Sequence, residues 1–211
     1  YITDEYGRIV NWSCKSCYEP DNERDNNAQI ESGGEDREDG DDGGHLVARI
    51  LGGPPGEENI VPMRDTINRG DYKKSENAIV EATKQGKTVE DKGEVIYEGD
   101  SKRPSKIERK YDIDGEKIML VIGSKGELNS AYGFHTLTID FFKELIRDLE
   151  NDISSIDLEN LNDEINDMKA DGEKVSVTSV MKRYDANGNL LSVCVGIRNE
   201  TTGEKTYKTF D

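Results

Sequence analysis

The spacing of apolar residues changes several times along the chain, and each change marks an element. Tyr6, Ile9, Val10 and Trp12 alternate closely enough for Tyr1–Tyr18 to read as a strand or hairpin arm. Residues 19–44 are nearly devoid of apolar side chains and rich in Asp, Glu, Asn and Gly, a composition that predicts a long surface loop. A short strand-like run, His45 to Leu51, is stopped by Gly52-Gly53-Pro54-Pro55-Gly56. A second loop, Glu57 to Arg69, leads into a helix from about Tyr72 to Lys84, with Tyr72, Ala78, Ile79 and Ala82 facing inward. Asp71 is the expected N-cap and Gly86 the stop.

Strand patterns follow over Thr88–Tyr97, Ile107–Ile113 and Lys117–Ile122, the last two joined by the hairpin signal Asp114-Gly115. Beyond Gly123 the period lengthens: Phe141–Asp152 and Leu158–Ala170 read as helices with acidic outer faces. Lys174–Tyr184, Leu190–Arg198 and Glu204–Phe210 then read as a three-strand meander, with turns at Asn187-Gly188 and Thr202-Gly203. The fold class is therefore α+β. The division expected is a core over 1–122 and an acidic helical and β-meander extension over 123–211, packed separately or as part of the same domain. No apolar run reaches the roughly 20 residues needed to cross a bilayer, and no membrane partner is expected. Nothing at the N-terminus looks like a signal peptide, and the chain begins at Tyr1, as a fragment of a longer polypeptide would.

Charge sharpens this picture. The net charge of -17 argues against a nucleic-acid partner when taken alone. Its distribution does not: residues 1–44 carry -9, residues 45–110 carry +1 and residues 111–211 carry -9. Cations cluster in the middle third, at Arg64, Arg69, Lys73 and Lys74 and again at Lys102, Arg103, Lys106, Arg109 and Lys110, where a phosphate backbone could approach. With 35% charged and 33% hydrophobic residues, the core is expected to be modest. Cys14 and Cys17 form a lone C-x-x-C with no second pair to complete a zinc site, which leaves a local disulfide or two reduced thiols.

The same middle third carries candidate chemistry. Phosphodiester hydrolysis needs an activated water, a cation to neutralise the transition state and a proton for the leaving oxygen. One histidine and one hydrated Mg²⁺ can supply all three. His45 follows Asp42-Gly43-Gly44, Asn59 lies in Asn59-Ile60-Val61-Pro62, Asn68 in Asn68-Arg69-Gly70, and Glu76 sits inside the predicted helix.

These four elements, in this order and at these intervals, resemble the DNA/RNA non-specific endonucleases with the ββα-metal fold. Residues 41–76 carry the resemblance most strongly. Tyr1-x-Thr3-Asp4-Glu5-x-Gly7-Arg8 and Gly99-Asp100-Ser101-x-Arg103-Pro104 extend it loosely over 1–122, and look closest to the nuclease domains of secreted bacterial polymorphic toxins. The resemblance implies His45 as general base, Asn68 as the direct Mg²⁺ ligand (with Mn²⁺ as a substitute) and Glu76 as the holder of metal-bound waters. Asn59 would orient the loop around them. Substrate phosphates are expected at Arg49, Arg69, Lys73 and Arg103 and along the Lys102–Lys110 set. Two departures stand out: Gly43 occupies a place where Arg often precedes the Gly-His pair, and Val80 and Glu81 lie where some members carry another Arg.

The expected function is a sequence-nonspecific endonuclease acting on DNA and on RNA as a second substrate, secreted or delivered into target cells, bacterial, and paired with a cognate immunity protein. The alternative, kept open by the net charge and the missing Arg, is a non-catalytic interaction module on a degenerate nuclease fold. His135 and the acidic run Glu31–Asp42 read as structural and solvated, respectively.

Overall fold

A computed structural model of the chain describes residues 1–23, 25–123, 160, 163, 175–199 and 201–211. The mixed architecture expected from the sequence is present: antiparallel sheet with few helices, an α+β arrangement. Ten strands are described: β1 (Ile2–Thr3), β2 (Ile9–Ser16), β3 (Asp41–His45), β4 (Ile60–Arg64), β5 (Val89–Tyr97), β6 (Pro104–Ile113), β7 (Glu116–Gly123), β8 (Val175–Tyr184), β9 (Leu190–Asn199) and β10 (Lys205–Phe210). Among residues 1–123 the α-helices described are α1 (Asn26–Glu31), α2 (Asp65–Ile67) and α3 (Lys73–Lys84), with a π turn over Asn68–Tyr72 between the last two. The two helices expected over 141–152 and 158–170 lie almost wholly outside the described residues.

Eight strands form one antiparallel sheet in the order β1-β2-β5-β6-β7-β8-β9-β10. The meander read from the sequence thus continues the sheet directly, because β7 pairs with β8 from Lys117↔Tyr184 to Ile122↔Ser179. The turn residues behave as expected: Asp114 and Gly115 take φ of 52° and 97°, the left-handed pair of a tight hairpin. Period-two alternation places Ile107, Tyr111, Ile118, Leu120 and Ile122 on the buried face. There they meet Leu46, Val47, Leu51, Met63, Ile67, Tyr72 and Ile79 from the layer above.

That upper layer is a two-stranded ribbon, β3 paired with β4 from Asp41↔Arg64 to His45↔Ile60, followed by the π turn and α3. Three expectations need correction here. The strand predicted over His45–Leu51 lies one step earlier: β3 ends at His45, and Arg49–Leu51 form a 3₁₀ turn closed by Gly52 at φ 85°. Leu46, Val47 and Ala48 are all buried, so the run reflects burial on every side rather than a half-exposed strand. The loops predicted over 19–44 and 57–69 contain α1, most of β3 and all of β4. Asp25 caps α1, accepting from the amides of Asn27 (2.9 Å) and Ala28 (3.0 Å). Asp71 does not cap α3; its side chain faces Lys205 and Tyr207. Cys14, Cys17 and Cys194 are free thiols.

Candidate active site

Beside the ribbon lies a cleft of about 1020 Å³. Gly43 and His45 of β3 face into it, with Asn68, Arg69, Lys73 and Glu76 on one side and Asn26, Gln29 and Ile30 of α1 on the other.

Glycine builds the floor. A Cβ on Gly43 would lie 2.3 Å from the Gln29 carbonyl oxygen and 2.6 Å from its Cα, so α1 sits on the bare backbone of β3. No larger residue fits there, which accounts for the absence of the Arg expected from the resemblance. Gly44 has the same function towards Asn68, whose Oδ1 lies 3.1 Å from where a Cβ would stand.

His45 is held by the chain on both sides of it. Its own residue pairs with Ile60. The next residue, Leu46, donates its amide to the Asn59 carbonyl (2.8 Å) and accepts from the buried Tyr72 hydroxyl (2.7 Å). Asn59 then mimics a partner strand: its Oδ1 accepts from the Val47 amide (2.9 Å) and its Nδ2 donates to the Val47 carbonyl (2.8 Å). A further bond to the Pro54 carbonyl and one from the Tyr1 hydroxyl complete its environment. Asn59 is fully buried and does not line the cleft; it orients the loop that leaves His45. The Nε2 atom of His45 is itself shut off from solvent.

Asn68 opens the π turn. Its Nδ2 donates to Asp42 Oδ2 (3.0 Å), and Arg69 grips the same carboxylate with Nε (2.8 Å) and Nη2 (2.7 Å). The hydrogen bond from Arg69, with that from Asn68, outweighs partial burial and holds the Asp42 carboxyl below the usual carboxylate range. Glu76 is 8% exposed and accepts from Lys73 Nζ at 3.1 Å. Burial pushes its carboxyl up, against the pull of Arg109 and Lys73.

Arg109 lies beneath α3 and is fully buried. It makes two bonds to Asp91 (2.6 and 3.0 Å), one to Ser75 Oγ (3.1 Å), and stacks 4.8 Å from the centre of the Tyr72 ring. A buried charge beside Glu76 therefore comes from β6, not from the cleft rim.

The expected phosphate contacts divide accordingly. Arg69 and Lys73 line the cleft with side chains 71% and 49% exposed. Arg49 also borders it, but its guanidinium donates to the carbonyls of Pro20 and Asn22 and ties down that loop. Arg103 is 2% exposed and locked to Asp41 by bonds of 2.6 and 2.9 Å; it braces the start of β3 and takes no part in the lining. None of the Lys102–Lys110 set borders the cleft, since Arg103 and Arg109 point into the interior. Asp42 and Arg37 were not singled out from the sequence, and Arg109, expected among the phosphate contacts, is instead a buried support beneath α3. The alternation that turns Ile107 and Tyr111 inward also turns Arg109 inward, and that signal was available.

The donors on the cleft wall suit a hard, hydrated cation. Asn68, Asp42 and Glu76 offer oxygen, and among the described residues no group of three or more His, Cys, Asp or Glu side chains is arranged as a metal cage. Mg²⁺, which keeps most of its waters, needs no such cage.

Comparison with known proteins agrees with this geometry. The type VII secretion system protein EssD of Staphylococcus aureus (strain USA300) is 39% identical over 123 residues, covering 56% of this chain and 20% of EssD. The probable deoxyribonuclease RhsA of Dickeya dadantii (strain 3937) is 32% identical over 80 residues, covering 37% of this chain and 5% of RhsA. The matched part of this chain thus spans a fifth or less of the length of either relative. Residues 1–115, more than half of the sequence and the whole of the cleft, match the profile of that family, and the chain belongs to the DNA/RNA non-specific endonucleases.

Proposed function

We propose that this chain is a Mg²⁺-dependent endonuclease of the ββα-metal type, with Mn²⁺ as a substitute, that cuts DNA, and RNA as a second substrate, with little regard to sequence. The observation that carries the reading is the convergence of His45, Asn68, Glu76 and two exposed cations on one cleft.

His45, which lines the cleft, would take a proton from a water there. Asn68 would hold the cation through its amide oxygen, and Glu76 through water. When bound, the ion supplies positive charge against the scissile phosphate and acid for the leaving oxygen. Arg69 and Lys73 bind flanking phosphates, which requires Arg69 to exchange Asp42 for substrate. Lysine and arginine meeting a backbone read charge and not base edges, which is the physical basis for weak sequence preference.

The similarity to a type VII secretion system protein supports a bacterial toxin domain, secreted or delivered into target cells. Among the described residues no helix is long and apolar enough to cross a membrane. A producing cell then needs an immunity protein, and covering the His45 cleft is the direct way to block the enzyme.

Digestion of supercoiled plasmid tests the reading. Nicking and linearisation with Mg²⁺, abolished by EDTA and weakening steeply as salt rises, are expected. Cutting that persists in EDTA would remove the metal from the mechanism. Absence of cutting of plasmid and RNA with either ion would leave the interaction-module alternative.

A further inference from the structure

The last strand of the chain lies beyond the region matched to the family, yet its side chains reach the turn that carries Asn68. β10 pairs with β9 from Lys205↔Arg198 to Phe210↔Val193 and presents Lys205 and Tyr207 towards Asp71. Tyr207 donates its hydroxyl to Asp71 Oδ1 at 2.6 Å, and the Lys205 ammonium bonds Oδ2. Asp71 is 2% exposed and lies three residues after Asn68 within the same π turn. Two neighbouring contacts widen the grip. Lys74 Nζ stands 3.7 Å from the centre of the Tyr207 ring, and Arg198 of β9 donates to Thr66 Oγ1 at 3.3 Å.

The turn has need of such support. Gly70 takes φ −101° and ψ −108°, outside helical space, so the regular hydrogen-bond ladder is broken between Asn68 and α3. Burial would raise the Asp71 carboxyl, but the Lys205 charge and bonds from Lys205, Ser179 and Tyr207 keep it below the usual range. The same burial draws the Lys205 ammonium down, with Asp71 opposing it.

We propose that Lys205 and Tyr207 are positioning residues of the nuclease site, clamping Asp71 so that the π turn holds Asn68 towards the cleft. The C-terminal strands are then part of the active site. This rests on Asn68 as the cation ligand.

The test uses the full 211-residue chain. Mn²⁺ binding is measured by calorimetry for wild type, Asn68→Ala, Tyr207→Phe, Lys205→Met, Lys205→Arg and the Tyr207→Phe/Lys205→Met pair, with a urea unfolding curve for each. Loss of a group bonded directly to a metal ligand costs about 10–100-fold in affinity, and Lys205 and Tyr207 act one step further out, through Asp71. The paired variant is expected at the lower end of that range, about tenfold weaker, with cleavage recovering as Mn²⁺ is raised. Lys205→Arg, which keeps the charge, is expected to stay within about threefold of wild type by the same scale. Tyr207→Phe removes one hydroxyl and keeps the ring, so it remains folded and informative if the paired variant does not. Asn68→Ala losing Mn²⁺ while folded Tyr207→Phe and Lys205→Met both bind it like wild type would overturn the clamp alone. Asn68→Ala binding Mn²⁺ like wild type would overturn the ligand reading and the clamp with it.

Discussion

Replacing Arg109 by Met tests how the site is supported from below. The guanidinium and the Asp91 carboxylate are both fully buried and doubly bonded, and Arg109 also serves Ser75 of α3. Methionine keeps much of the aliphatic stem but leaves Asp91 as an unpaired charge in the core. Breaking a buried pair from one side costs about 3–5 kcal/mol. That is a fifth or more of the total stability of a domain, about 5–15 kcal/mol. With a urea slope of about 2 kcal/mol per M, the unfolding midpoint should fall by about 2 M. Activity should fall further than stability alone accounts for, because Ser75 and Glu76 sit on the turn of α3 that rests on Arg109. Urea unfolding followed by tryptophan fluorescence measures the first effect, and Trp12 lies in the same core. The control is Arg109→Met with Asp91→Leu, which removes both charges and should return close to wild-type stability. A single variant within about 1 kcal/mol of wild type, well short of the cost of a broken buried pair, would refute the reasoning. So would a double variant as unstable as the single.

Other expectations follow from the same geometry. Gly43→Arg, which restores the residue common elsewhere in the family, should lower both stability and cleavage. Its Cβ meets Gln29 backbone at 2.3 Å, an overpacking cost of at least about 1–3 kcal/mol, readable as a lower melting temperature. Asn59→Ala should cut activity while leaving Mn²⁺ affinity nearly unchanged, since Asn59 holds Val47 and not the cation; a wild-type cleavage rate would contradict this. Asp41, whose burial is outweighed by hydrogen bonds from Arg103, has a carboxyl below its ordinary value. Its stabilisation is therefore complete above the unfolded carboxyl value of about 3.9 and is lost as pH falls through the lower folded value. Asp41→Asn should be less stable at pH 7 and should show a shallower acid loss when unfolding midpoints are compared between pH 7 and pH 2.

Much of the site was legible because its residues sit at fixed intervals on short elements. His45, Asn68 and Glu76 fall into one cleft as their spacing suggested. The strands after Thr88 were legible for a different reason: they alternate, and β5, β6, β8 and β9 are each followed by a turn glycine at positive φ, namely Gly99, Gly115, Gly188 and Gly203. β3 was hidden because Asp41-Asp42-Gly43-Gly44 contains no β-branched or aromatic residue, and its strand conformation is imposed by pairing with Ile60–Arg64. Arg103 illustrates the opposite failure. Its charge suggested a surface role, but only the tertiary structure brings Asp41, 62 residues away, within 2.6 Å of it. The link from Asp71 to Tyr207 spans 136 residues and leaves no local trace.

In the proposed reaction His45 is the base. The most direct measurement is the single-turnover cleavage rate of His45→Ala on plasmid DNA at saturating Mg²⁺, beside its unfolding midpoint and Mn²⁺ affinity. A positioned base contributes about 10²–10⁴-fold, so a rate at least about 100-fold below wild type is expected, with fold and metal binding intact. A variant that cuts as fast as wild type would contradict the account.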